Sequence, residues 1–168
     1  NDAPQVSAAI REVTNEDEAP FTIDLLANSS DVDTTDNLSV SDVTETSGND
    51  ASGVVLVGNV FTVTPNAYDY LAVGESVELT YTYNVIDSNG GVTPTTATII
   101  IEGRNDAPQV SAAIREVTNE DEAPFTIDLL ANSSDVDTTD NLSVSDVTET
   151  SGNDASGVVL VGNVFTVT

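Results

Sequence analysis

Residues 105–168 repeat residues 1–64 without a single difference. The string NDAPQVSAAIREVTNEDEAPFTIDLL starts at Asn1 and again at Asn105, which sets a period of 104 residues. The chain is therefore one full repeat, residues 1–104, followed by the first part of an identical second repeat, residues 105–168. A unit kept this homogeneous, by recombination or by design, is expected to work by being stacked in tandem. The period is too long for a solenoid, whose repeats run to about 20–50 residues, and suits one β-sandwich domain of about 100 residues. The second copy has no counterpart of Pro65–Arg104. Alone it is not expected to form a full sandwich; a strand from another chain, or continuation of the array, would complete it.

Within one repeat no segment sustains a helical period, and Thr, Val, Ile and Ser dominate. The clearest strand runs from Ser76 to Asp87: Val77, Leu79, Tyr81, Tyr83 and Val85 alternate with Glu78, Thr80, Thr82 and Asn84, the pattern of a half-buried antiparallel strand. A second covers Thr96–Glu102, and the link between the two contains SNGG at Ser88–Gly91, a turn signal. Phe21, Ile23 and Leu25 alternate in a third, and Leu38 and Val40 begin a fourth. Val55–Val57 and Val60–Val63 flank Gly58-Asn59, which suits a type II′ hairpin. With a strand near Gln5–Ala9, continued by Arg11–Val13, about seven strands result, and the expected fold is an all-β, immunoglobulin-like antiparallel sandwich in tandem.

Charge narrows the function. There are 29 acids against 3 bases, Arg11, Arg104 and Arg115, and no Lys, for a net charge of −26. That sign disfavours nucleic acid and anionic membranes as partners. So much like charge in a compact domain repels itself, and the sequence offers almost no base to offset it. Ca²⁺ is the natural counter-ion for sites rich in Asp, Glu and Asn oxygens; a surface acidified for solubility in a salty medium is the alternative. With no Cys or His the usual nucleophilic triads are absent. The aromatic content of 5%, with no Trp, leaves no sugar platform for a two-carboxylate glycosidase. An enzyme with a small-molecule substrate is not expected. The lack of Cys also suits a bacterial secreted protein better than a disulfide-stapled one.

The acids cluster at strand ends and linkers. NEDE occupies Asn15–Glu18, before a strand; DVDTTDN occupies Asp31–Asn37, after it; Asp69 precedes a strand, Asp87 ends one, and NDAP opens each copy, with Asn1 and Asp2 in the first. A DxD pair such as Asp31 and Asp33 places two carboxylates on one side of an extended loop. The loop is not an EF-hand, since its sixth position is Asp36 rather than Gly and its twelfth is Asp42 rather than Glu. Asp and Asn also favour turns and caps on their own account, which is the preferred reading of Asp42, Glu45, Asp50 and Glu75.

LLANSSDVD, TYTYNVIDSNGG, TATIIIEG and the NDAP linker resemble bacterial cadherin-like repeats, the VCBS or Bap-type domains of the extender regions of giant RTX adhesins. That resemblance covers the whole repeat. It implies a calcium-stiffened extracellular spacer on the bacterial surface, whose partners are neighbouring identical repeats and which makes no direct membrane contact. It also implies junction ligands from the base of one domain, the linker and the top of the next. NEDEAPF resembles the acidic base loop, with Glu16 or Glu18 as ligand; Asp69 resembles the acid before the penultimate strand; Asn105 and Asp106 match the linker end; Asp135 and Asp137 match the DxD of the following domain, as Asp31 and Asp33 do in the first; and Asp87 resembles the strand-end acid of a domain top. One departure stands out: the linker of that family begins with an Asp where this chain has Gly103. The competing reading is an adhesive module that binds glycan or ice directly through Thr80, Thr82, Thr93, Thr95, Thr96 and Thr98, although solvent-facing strand positions favour Thr in any case.

Overall fold

The computed structural model describes all residues, Asn1–Thr168. The chain divides into two compact units, Asn1–Asn105 and Asp106–Thr168. Apart from a 3-10 turn at Pro65–Tyr68 it is all β, and no helix is long and apolar enough to cross a membrane.

The first unit is an immunoglobulin-like β-sandwich. Its elements are β1 (Gln5–Val6), β2 (Ile10–Asn15), β3 (Phe21–Asp24), β4 (Ser29–Ser30), β5 (Ser39–Glu45), β6 (Val54–Val57), β7 (Val60–Val63), β8 (Ser76–Ile86) and β9 (Val92–Glu102). One sheet has the order β2-β9-β8-β5 and the other β3-β7-β6, with a small β1-β4 pair beside them. The alternation read along β8 is realised: Leu79, Tyr81, Tyr83 and Val85 are buried, while Val77 packs at the margin of the core. Ala97, Ile99 and Ile101 of β9 and Ile10 of β2 complete that sheet's inner face, and Ile23, Leu25, Phe61 and Val63 supply the opposite one. Tyr83 satisfies its buried hydroxyl by donating to the Leu25 carbonyl across the core at 3.0 Å.

Local turn chemistry holds the register. Val57 pairs with Val60 across Gly58-Asn59, and Gly58 has φ +62°, as a type II′ turn requires at its first central position. Asn59 does more than turn the chain: its side-chain oxygen accepts from Val40 N and its carbonyl from Leu25 N, tying the hairpin tip to both flanking segments.

Two features depart from the sequence reading. The amino-terminal strand changes sheets: β1 pairs antiparallel with β4, whereas β2 runs parallel to β9. In addition, β9 begins at Val92 rather than Thr96 and so contains Pro94. Its pairing with β2 starts only at Ala97. Pro94 therefore lies where β9 is paired on one side alone, the place where a strand tolerates a residue without an N–H.

In the second unit, β10 (Gln109–Val110) pairs with β12 (Ser133–Ser134), and β11 (Phe125–Asp128), β14 (Val164–Val167) and β13 (Val158–Val161) form a three-stranded sheet. These registers reproduce β1-β4 and β3-β7-β6 residue for residue. The counterparts of β2 and β5, residues 114–119 and 143–149, form no strand. In the first unit β2 pairs only with β9, and β5 only with β8; without those partners the same sequences have no ladder to join.

Candidate metal centre

Asp31, Asp36 and Asp87 each present a carboxylate oxygen within 4.8 Å of the others, at one end of the first sandwich. Two local structures bring them there. After β4, Asp31 Oδ1 accepts from Asp33 N at 2.9 Å, and Asp36 N donates to the Asp33 carbonyl at 2.9 Å. These two bonds curl DVDTTD back on itself. Between β8 and β9, Asp87 Oδ1 accepts from both Asn89 N and Gly91 N at 2.8 Å. Gly91 is required for this approach, because a Cβ there would lie 2.2 Å from Asp87 Oδ2 and 2.8 Å from Ala3 Cα. Asn89 then bridges the two loops by donating its amide to Asp36 Oδ1 at 2.6 Å.

The cluster concentrates negative charge at one end of the sandwich. Asp87 is only 6% exposed. Burial pushes its carboxyl up, but hydrogen bonds from Gly91 N, the Asn1 amide, Asn89 N and Gly90 N outweigh it and hold the group below its ordinary value. Asp87 is thus anionic at neutral pH. Asp31 Oδ2 and Asp36 Oδ2 are buried with no hydrogen-bond partner, a costly state for a carboxylate oxygen. Three carboxylates with two unserved buried oxygens match a hard divalent cation, and Ca²⁺, which takes about six to eight oxygens in flexible geometry, fits this donor set. Asp31, Asp36 and Asp87 would be the residues that hold it.

The other sequence-proposed residues lie outside this trio. Asn1 donates its amide to Asp87 Oδ2 at 3.1 Å, and Asp2 N donates to Asp33 Oδ2 at 2.8 Å. Asn1, Asp2 and Asp33 therefore brace the two loops from outside the trio. Glu16 lies at the opposite end of the β8-β9 hairpin, fully buried, its N–H on the Glu102 carbonyl and its Oε1 accepting from Arg104 N. Glu18 is exposed, with Asn15 Nδ2 at 3.5 Å from its Oε1, and Asp69 is exposed after the 3-10 turn. In the second unit Asp135 Oδ1 accepts from Asp137 N at 3.1 Å, and Asp137, 2% exposed, accepts from Asp106 N at 2.9 Å. Asn105, at the end of the first unit, is exposed. Asp36, which the DxD reading did not include, joins the cluster because the loop turns back through the Asp33 carbonyl; the spacing DVDTTD was its signal.

Gly103, where the resemblance would place an Asp, has a structural cause. It is buried, and a Cβ there would lie 2.2 Å from the Ala72 carbonyl oxygen and 2.5 Å from that of Leu71. An aspartate cannot enter without moving that backbone.

No curated protein matches this chain. The family model of the cadherin-like domain matches residues 1–102 and again residues 104–167. With both stretches matched, this protein belongs to the cadherin-like domain family.

Proposed function

We propose that the chain is part of a calcium-binding spacer array in a large bacterial surface adhesin, in which each complete repeat takes up Ca²⁺ on Asp31, Asp36 and Asp87. Cadherin-like domains are adhesion-related repeat modules, non-enzymatic in general and typically extracellular, and an exact tandem repeat suits a part whose job is length. The observation that carries the metal is the pair of buried, unserved oxygens, Asp31 Oδ2 and Asp36 Oδ2, facing a carboxylate kept ionised by its own loop.

Calcium titration of the chain, followed by calorimetry and by thermal melting, tests this. All four tyrosines, Tyr68, Tyr70, Tyr81 and Tyr83, lie in the first unit, so tyrosine fluorescence reports that unit alone. An ion bound only by the folded state, at a free concentration of about a thousand times Kd, adds about 4 kcal/mol. Asp31→Asn with Asp36→Asn should abolish that increment and one tight ion, and Asp50→Asn should abolish neither. Magnesium should substitute poorly because it sheds water reluctantly. Equal melting in chelator and in millimolar calcium would remove the metal from the reading. The spacer role is tested by small-angle scattering on arrays of complete repeats: the maximum dimension should grow linearly with repeat number in calcium, and the profile should become broad and flexible in chelator.

A further inference from the structure

We infer that β6 is a docking edge for a second copy of this chain, adding antiparallel to β6 of the other molecule so that two three-stranded sheets join into one. Four strands end the two sheets of the complete repeat: β2 and β5 in one, β3 and β6 in the other. An open edge offers its main-chain groups to any passing strand, and proteins blunt it with charge, bulges or proline. Three of the four are blunted. β2 carries Arg11 and Glu12, and β3 ends in Asp24. β5 carries Asp42 and Glu45 and is bulged between Ser41 and Thr44, with Asp42 at φ +54°. β6 is Val-Val-Leu-Val and has none of these devices. Its side chains reach solvent on both faces: Val55 is 56%, Leu56 40% and Val57 68% exposed. β13, the same sequence in the second copy, is exposed at all four positions.

The register of the hairpin fixes which groups are on offer. Val57 and Val60 close the Gly58-Asn59 turn and so exchange ladder bonds, as do Val55 and Thr62 two places on. Leu56 and Val54 therefore turn their N–H and C=O groups away from β7. Val54 N is used locally, on the Ala51 carbonyl at 3.0 Å. What remains is the Leu56 N–H with the carbonyls of Val54 and Leu56. Two copies serve one another when they pair about Val55. Each Leu56 N then donates to the Val54 carbonyl of the other molecule, and the two Val55 side chains meet on the two-fold axis. Such strand addition draws its affinity from main-chain bonds, and the contact is isologous, so it closes on itself.

Charge identifies the occupant. Ala51–Tyr68 is the longest uncharged run of the repeat, in a chain of net charge −26. An acidic partner is repelled by the chain as a whole, and a basic one is drawn to the acids, which lie off this run. The strand that fits β6 is uncharged, apolar, extended and open along one edge. The chain itself carries such a strand in each copy. Meeting at β6 is also how two acidic chains join without setting carboxylates against one another in the contact. A four-residue strand is too short to bury the roughly 1,200–2,000 Å² of a stable interface, so a single edge pairs weakly. The exact repeat presents the same edge twice in one chain, 104 residues apart, and several weak contacts engaged together bind far more tightly than one.

The chain has no Cys, so an introduced one reports its own partner. Residues of a non-hydrogen-bonded pair face each other closely enough for a disulfide. Val55→Cys in the 168-residue chain should therefore form a covalent dimer in glutathione buffer at least about tenfold faster than Val73→Cys, an exposed control outside β6. Leu56→Pro with Leu160→Pro removes the outward N–H from both edges, where a strand tolerates proline. Added to Val55→Cys, the pair should bring trapping down to the rate of Val73→Cys. Sedimentation of the parent chain should show reversible association that strengthens with salt, as screening relieves the repulsion between two acidic chains. Val55→Lys with Val159→Lys, at positions already in solvent, should abolish that association and leave the tyrosine-reported melt of the first unit unchanged. Equal trapping at positions 55 and 73 would overturn the inference, as would a parent chain that stays monomeric up to millimolar concentration. Association that survives the lysine pair, or that weakens with salt, would overturn it as well. Should the proline pair lower the melt, the lysine pair carries the comparison alone.

Discussion

Residues 1–64 and 105–168 are the same sequence in two states of completion. In the first, Ile10–Asn15 and Ser39–Glu45 are strands and Phe61 is 1% exposed against the ring of Tyr81, with centroids 4.5 Å apart. In the second, the matching segments 114–119 and 143–149 are not strands, and Phe165 is half-buried with no tyrosine to meet it. What survives without the last 40 residues of the repeat is whatever closes over short distances: the β13-β14 hairpin, the β11 strand it pairs with, and the Asn163 bonds. What is lost is every ladder whose partner lies in the absent segment. The sandwich is thus a local scaffold plus two edge strands that exist only because β8 and β9 present them with paired neighbours.

The largest expected effect of this difference is in amide exchange. Val60–Val63 should exchange only through global opening of the first unit, whereas Val164–Val167 should exchange at least about a thousandfold faster, through local opening. Segmentally labelled protein followed by NMR checks this, and equal protection would mean that the hairpin segment is not what stabilises the sheet. Next in size is a pair of truncations. Phe61→Ala should cost about 3–5 kcal/mol by opening a cavity in a closed core, while Phe165→Ala should cost within about 1 kcal/mol because its site is already open. Denaturant melts, with tyrosine fluorescence for the first unit and NMR for the second, separate the two.

The smallest effect is the alkaline limit of the first unit. Burial raises the phenols of Tyr68, Tyr70, Tyr81 and Tyr83, and Tyr81 is pushed up to about 12. The unfolded chain ionises its tyrosines near pH 10. Above that pH the unfolded state binds fewer protons than the folded one, so this stabilisation is complete below about pH 10 and is lost as pH rises through about 12. Tyr81 accounts for on the order of 2 kcal/mol of it. Tyrosine-reported melts across pH 9–12 should show the fall, and Tyr81→Phe should flatten it. The second unit, which has no tyrosine, should show no such step.

Part of the candidate site could be read directly. Asp31 and Asp87 stand out as acids at strand ends, and the loop that holds Asp87 is announced by SNGG. That Asp36 meets Asp31 and Asp87 could not be read without knowing which way the loop curls, because Asp33 and Asp36 lie in one acidic run and the bond from Asp36 N to the Asp33 carbonyl sets the curl. Nor could the sequence show that Asn1 donates to Asp87, 86 positions away.

By itself the sequence determined what depends on neighbours along the chain: the exact repeat, the period-two alternation that makes β8, the Gly58-Asn59 turn, and a charge that demands counter-ions. Only the tertiary structure decided the switch of the first strand between sheets, the parallel pairing of β2 with β9, the close packing that reserves positions 91 and 103 for glycine, and the meeting of Asp31 and Asp36 with Asp87. Those features depend on contacts between distant segments. The second copy supplies the physical reason: identical residues take a different structure when the distant partner is absent, so their own order cannot encode it.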